Sequence, residues 1–203
     1  MSNVVVLASG FASTHPEVTR AIEAANGAGI LTFAAASNYG NLAEIVFPGR
    51  LYTSYKVMCM FATDPSSRSS PLFNPSASRA ARYSFAVLGE NVSLPRVDGL
   101  LSGTSYATMI GAAVAARILD FARHKDVRAK LRCAESLKTV EGMSAVFALM
   151  ARGAVDNGYH CLSPWKLIPL EIGEEEEAAV RRTRVRQHIC ESISRALEYM
   201  YSG

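Results

Sequence analysis

The residues best suited to covalent chemistry lie in the run Ser102-Gly103-Thr104-Ser105-Tyr106-Ala107-Thr108. A serine placed just ahead of a helix of small residues has a physical use. A helix N-terminus presents backbone N–H groups without intrahelical partners, and its dipole favours negative charge. Both suit the oxyanion that forms when a serine attacks a carbonyl carbon. Gly103 lets the backbone come close to a substrate. Taken alone, the same run also suits Thr104 or Ser105 as an ordinary helix cap. A second run, Ala34-Ala35-Ala36-Ser37-Asn38-Tyr39-Gly40, ends an apolar stretch. Asn38 there has a side-chain amide to donate, or is a turn asparagine beside glycine.

These residues need a frame. Residues 4–8 form a β-branched apolar run that reads as a buried strand. Thr14 and Glu17 have the spacing of a capping box for a helix reaching Asn26, with Val18, Ile22 and Ala25 on one face and Gly27 and Gly29 as its stop. Residues 30–36 read as a second buried strand, giving a parallel βαβ unit that places Asn38 at a strand's carboxyl end, where open α/β sheets hold ligands. Residues 56–62 read as a third strand and 64–78 as a surface loop. Residues 83–87 and 92–94 are weaker strand candidates. From Gly103 the chain is apolar on nearly all sides, which predicts a buried central helix. Helices follow at 128–137 and 140–150.

After Pro169 the composition shifts, which divides the chain at 168 into a main domain, 1–168, and a charged helical tail, 169–203. Residues 174–177 are all glutamate and precede Arg181, Arg182, Arg184 and Arg186, an order that suits the helix dipole. Val185, Ile189, Ile193, Leu197 and Met200 make an apolar stripe, which packs on its own domain or receives a partner protein.

The two short runs, in this order, resemble the subtilisin-like serine peptidases, and among them the intracellular fungal type. Residues 103–108 match the family's nucleophile motif, and Ala35-Ala36-Ser37-Asn38 matches the strand end bearing its oxyanion asparagine. Ala8-Ser9-Gly10, Phe47-Pro48-Gly49, Phe61-Ala62-Thr63-Asp64, Glu141-Gly142-Met143 and Pro164-Trp165-Lys166 extend the likeness over residues 4–168. The resemblance implies an α/β fold: a three-layer α/β/α arrangement with a mostly parallel sheet, truncated at its N-terminal side. It implies a serine endopeptidase with Ser105 as nucleophile and Asn38 as oxyanion donor. Ala8, Ser9, Gly10, Ala36, Gly103 and Thr104 would bind an extended peptide or protein substrate.

The family's triad runs Asp, His, Ser. No Asp-Ser/Thr-Gly or His-Gly-Thr triplet occurs in this chain, and none of His15, His124, His160 and His188 matches the catalytic histidine. The expectation is a fragment without its Asp and His, or a non-catalytic relative that keeps the cleft as a peptide- or protein-binding module. Met109 stands where the family has proline, a change the helix should tolerate. A sheet short of its first strands would leave a long open edge.

Composition closes off other classes. The net charge of +3 is too small to argue for nucleic acid. No apolar run approaches the roughly 20 residues needed to cross a bilayer, and no basic segment precedes the first apolar run, which predicts a cytoplasmic protein away from membranes. Cys59, Cys133, Cys161 and Cys190 lie far apart, which predicts free buried thiols and no metal site. No cofactor is expected; calcium, where the family carries it, maps onto no residue here.

Overall fold

The β-branched and small apolar runs pair side by side in the computed structural model, which describes residues 3–168 and 178–200. Strands β1 (Val4–Leu7), β2 (Leu31–Ala35), β3 (Met58–Thr63), β4 (Phe85–Leu88), β5 (Val155–Asp156) and β6 (Tyr159–Cys161) form one sheet in the order β1-β2-β3-β4-β6-β5. All neighbours are parallel except β5 and β6.

Side-chain alternation along each strand builds two cores. Leu31 and Phe33, Met58, Met60 and Ala62, and Phe85 and Val87 face α2 (Thr104–Arg123), α4 (Val140–Met150) and α5 (Ala178–Tyr199). Ala34, Cys59, Phe61 and Ala86 face the other way, onto Ile22 of α1 (Pro16–Gly27) and onto Tyr52 and Tyr159. The result is the expected three-layer α/β/α arrangement.

Helix α2 reaches the middle of the domain because its residues are small. A Cβ on Gly111 would lie 2.6 Å from Met60 Cε, and one on Gly89 would lie 2.7 Å from Ala62 Cβ and 3.1 Å from Ala107 Cβ. The helix is unbroken through Met109, whose side chain is exposed.

The stripe on α5 is buried. Ile193 and Leu197 join the main core with Cys190, and Val185, Ile189 and Met200 are half-buried. Arg132 pairs with Glu198, and the Arg132 N–H donates to Ser194 Oγ at 3.1 Å. The part of that face carrying Cys190, Ile193 and Leu197 is therefore not free for a partner. The helix packs on α4 and on the turn Ala134–Lys138, which leaves β1 as the sheet's open edge, with Val5 and Val6 exposed. The glutamates at 174–177 lie outside the described residues.

Four local expectations change. The N-cap position of α1 is His15, not Thr14, and no side chain makes a capping hydrogen bond there. Pro16 at its start drives the preceding residue into extended backbone, so the boundary falls one residue later. Residues 92–94 form no strand; Val92 makes only an isolated bridge to Leu101 across an exposed loop. The helix expected at 128–137 is a short α3 (Lys125–Arg128) and a 3-10 turn, Ala134–Lys138, separated by Cys133 at φ 55°. Cys133 is exposed, unlike Cys59, Cys161 and Cys190, and all four are free.

The loop 64–78 is not wholly superficial. Ser69, Ser70 and Asn74 are buried. Strand β2 pairs with β3 only as far as Met60, so Ala62 has no strand on that side. Asn74 takes its place: Nδ2 donates to Ala62 O at 2.8 Å, and Oδ1 accepts from Ala62 N–H at 2.7 Å. Replacing Asn74 by alanine leaves a buried backbone donor without its partner and weakens the acceptor's satisfaction. Asn74→Ala should therefore lower stability by about 2–3 kcal/mol in urea titration; a change within about 0.5 kcal/mol would show that the pair is not needed.

Candidate functional site

The sheet's carboxyl edge collects the residues singled out above. After β2, the chain turns through Ser37 and Asn38. After β4 it loops back, and the Gly103 N–H donates to Gly89 O at 2.7 Å. Gly103, at φ 140°, then opens α2. A Cβ there would meet the Asn38 amide at 3.1 Å in backbone strained for any L side chain, so glycine suits both the angle and the approach.

Asn38 and Thr104 join these two loops. The Thr104 N–H donates to Asn38 Oδ1 at 2.7 Å. The Thr104 hydroxyl donates to Ser37 O at 2.8 Å and also lies 3.0 Å from Asn38 Oδ1. An N–H donor requires an oxygen opposite it, which fixes the orientation of the Asn38 amide. Its Nδ2 then points its hydrogens elsewhere and has no hydrogen-bond partner among the described residues.

The first turn of α2 sorts its N–H groups in the same way. Thr104 N–H goes to Asn38, while Tyr106 and Ala107 N–H go to Gly103 O at 3.1 and 3.5 Å. Ser105 N–H is left without a partner among the described residues. Ser105 is half-buried, and its Oγ donates to Ala8 O at 2.7 Å. Thus the hydroxyl, an unpaired N–H and the end of β1 meet at one point, at the positive end of a 20-residue helix.

Of the expected substrate residues, Ala8, Ser9 and Gly10 lie along the open surface beyond β1. The backbone groups of Ser9 and Gly10 have no partner among the described residues. The segment is held at its far end, where Phe11 and Phe47 exchange backbone hydrogen bonds at 2.7 and 2.9 Å. Ala36 and Thr104 are fully buried and support this surface from beneath, and Gly103 is buried between them and the loop. Two supports escaped the sequence reading, Ser37 O and Gly89 O. Both are backbone acceptors, which no side-chain pattern signals.

No histidine hydrogen-bonds Ser105 among the described residues. His15 packs on Phe11, with ring centroids 4.7 Å apart, and its Nδ1 lies 3.4 Å from Glu17. His124 ends α2, nearly the helix's full length away, about 28 Å at 1.5 Å per residue. His188 is on the exposed side of α5. His160, on β6, accepts the Ser84 N–H at Nδ1 and lies edge-on to Tyr83 and Phe85. Burial pushes its imidazole below the usual range. Among the described residues no three His, Cys, Asp or Glu side chains gather as metal ligands, and no helix is long and apolar enough to cross a membrane.

No family model and no curated protein matches this chain. Solved structures do. The prenylagaramide maturation protease PagA superposes with a TM-score of 0.60 at 20% identity, over 81% of this chain and 60% of that one. The protease domain of PatA gives 0.58 at 19%, over 81% and 57%. The PatG macrocyclase in complex with peptide gives 0.58 at 15%, over 79% and 47%. The fold is that of subtilisin-like protease and macrocyclase domains, and the chain spans three-fifths or less of each. The fungal intracellular type is not among the three.

Two measurements probe this geometry. Asn38→Ala removes the cap from α2 and should cost about 1 kcal/mol in urea titration, whereas Asn38→Asp keeps the oxygen and most of the stability; equal losses would show that Oδ1 is not the anchor. His160, pushed down by burial, binds its proton more readily in the unfolded chain. Its contribution is therefore full above about pH 6.5 and is lost as pH falls through the depressed folded value. The fall in stability below pH 6.5 should be smaller in His160→Asn; an unchanged profile would place the titration elsewhere.

Proposed function

We propose that this chain is the serine-bearing part of a subtilisin-like endopeptidase, with Ser105 as nucleophile and Asn38 as oxyanion donor. The observation that carries the reading is the pair of donors left over at the start of α2. Asn38 Oδ1 is held by the Thr104 N–H, which frees Nδ2, and Ser105 N–H is the first-turn donor without a partner.

In this reading an extended peptide adds as a strand along Ala8, Ser9 and Gly10, and the unpaired backbone groups of Ser9 and Gly10 set its register. Ser105 Oγ forms a bond to the scissile carbonyl carbon while its proton passes to a base. The carbonyl oxygen becomes an oxyanion between Ser105 N–H and Asn38 Nδ2. Collapse breaks the C–N bond, and the leaving amine takes the proton. Water then hydrolyses the serine ester by the same steps in reverse order. The fold likeness to a peptide-bound macrocyclase is consistent with a peptide ligand.

No histidine, aspartate or glutamate among the described residues hydrogen-bonds Ser105, so in this reading the base comes from outside them. The open edge of β1 adjoins Ala8 and Ser105, and a strand paired there would carry a histidine and an aspartate to the serine's free side. One observation favours a second reading. Ser105 Oγ donates its hydrogen bond to the Ala8 carbonyl, which is no general base, and this supports a peptide-binding module without turnover.

A fluorophosphonate probe offered to the native protein separates the two. Labelling should occur at a single serine, vanish in Ser105→Ala and slow by about 10²–10³ or more in Asn38→Asp, which keeps the helix anchor but loses the donor. No labelling of the native protein overturns the peptidase reading. Saturable binding of an extended peptide without cleavage would then establish the binding module.

A further inference from the structure

At the far end of α2 from Ser105, a groove of about 950 Å³ separates that helix from α5. Its floor is apolar, with Phe121 from α2 and Val185 and Ile189 from α5. Its walls are basic. Arg117 and Arg123 stand on the α2 side, and Arg181, Arg182 and Arg186 on the α5 side, with Asp120 as the one lining acid among the described residues.

Three of these guanidiniums already have company. Arg117 lies 3.6 Å from Asp120, Arg186 pairs with Asp126 at the rim, and Arg123 donates to the Asn3 side chain. Arg181 and Arg182 have no partner among the described residues. The arrangement is therefore an apolar trough with unneutralised positive charge on its α5 wall and further cations across from it. A guanidinium is a planar fork that matches a carboxylate.

We propose that this groove binds an acidic, amphipathic peptide segment of a partner protein, its apolar side chains on Phe121 and Ile189 and its carboxylates on Arg181 and Arg182. Shape favours a peptide over a membrane surface. The apolar residues are recessed between two helices, whereas a membrane anchor presents them outward. The groove lies nearly the length of α2 from Ser105, so its occupant does not compete with the proposed cleft.

The test is fluorescence anisotropy with a labelled amphipathic peptide of leucine and glutamate, and with a lysine-for-glutamate control, using the whole chain. The glutamate peptide should bind saturably, weaken as salt rises past physiological ionic strength, where the screening length is about 8 Å, and lose about tenfold or more in affinity in Arg181→Glu/Arg182→Glu. Both arginines are exposed, so an unchanged thermal midpoint will show that the variant is folded. Equal binding of the lysine peptide, indifference to the double substitution, or binding to phosphatidylserine vesicles but not to the peptide would overturn the proposal. So would binding that emerges only when the glutamates at 174–177 are replaced by glutamine, because the groove's occupant would then be the chain's own acidic run.

Discussion

One hydrogen bond organises the carboxyl edge of this sheet: Thr104 N–H to Asn38 Oδ1, at 2.7 Å. It ties the turn after β2 to the start of α2, two segments 66 residues apart. By filling the acceptor side of the Asn38 amide, it determines where the donor side points. By using the Thr104 N–H, it leaves Ser105 as the next donor in line. A leucine at 38 would keep the bulk and lose both effects. The same contact therefore serves as a helix cap and as an orienting device, and the two roles separate chemically because one belongs to oxygen and the other to nitrogen.

The bond depends on how near α2 can come to the sheet. Its first turns carry Ala107 and Gly111 where larger residues would push the helix outward, and Met60 fills the space left at Gly111. Gly89 lets the β4 loop run beneath Ala107 and present its carbonyl to Gly103. Close packing thus fixes the position of Ser105 relative to β1 and Asn38. Interiors of this density transmit small changes in side-chain volume, so an added methyl group at Gly89 or Gly111 would be felt at the site several residues away.

The strands and α2 were legible because they are long apolar runs with clear breaks, and burial of both sheet faces makes such runs continuous. The start of α2 was legible from Gly103 and the small residues behind it. The stripe on α5 was legible as a periodicity, though the sequence left open what would cover it; Ile193 and Leu197 entering the main core answers that. Other features were hidden for identifiable reasons. Pro16 overrode the Thr14 and Glu17 spacing because a proline restricts its predecessor more firmly than a capping pattern attracts the chain. The Pro- and Ser-rich stretch at 64–78 reads as a solvated loop, yet one side chain in it, Asn74, acts as a two-bond substitute strand for Ala62. Polar composition marks a loop but does not say which polar group turns inward.

The contact between Ser105 Oγ and Ala8 O bears on how the site could work. A serine hydroxyl beside an imidazole gives up its proton as it attacks; beside a carbonyl it is merely parked. Ala8 is also the first residue of the segment proposed to pair with substrate, and its carbonyl is held by the Ser105 hydroxyl. A base arriving next to β1 would therefore compete with Ala8 O for one proton and rotate the hydroxyl away from the strand. In that sense the unpaired donors and the parked hydroxyl are complementary. In the proposed reading the donors need no movement to receive an oxyanion, whereas Ser105 Oγ needs a single side-chain rotation, driven by a base that the described residues do not supply.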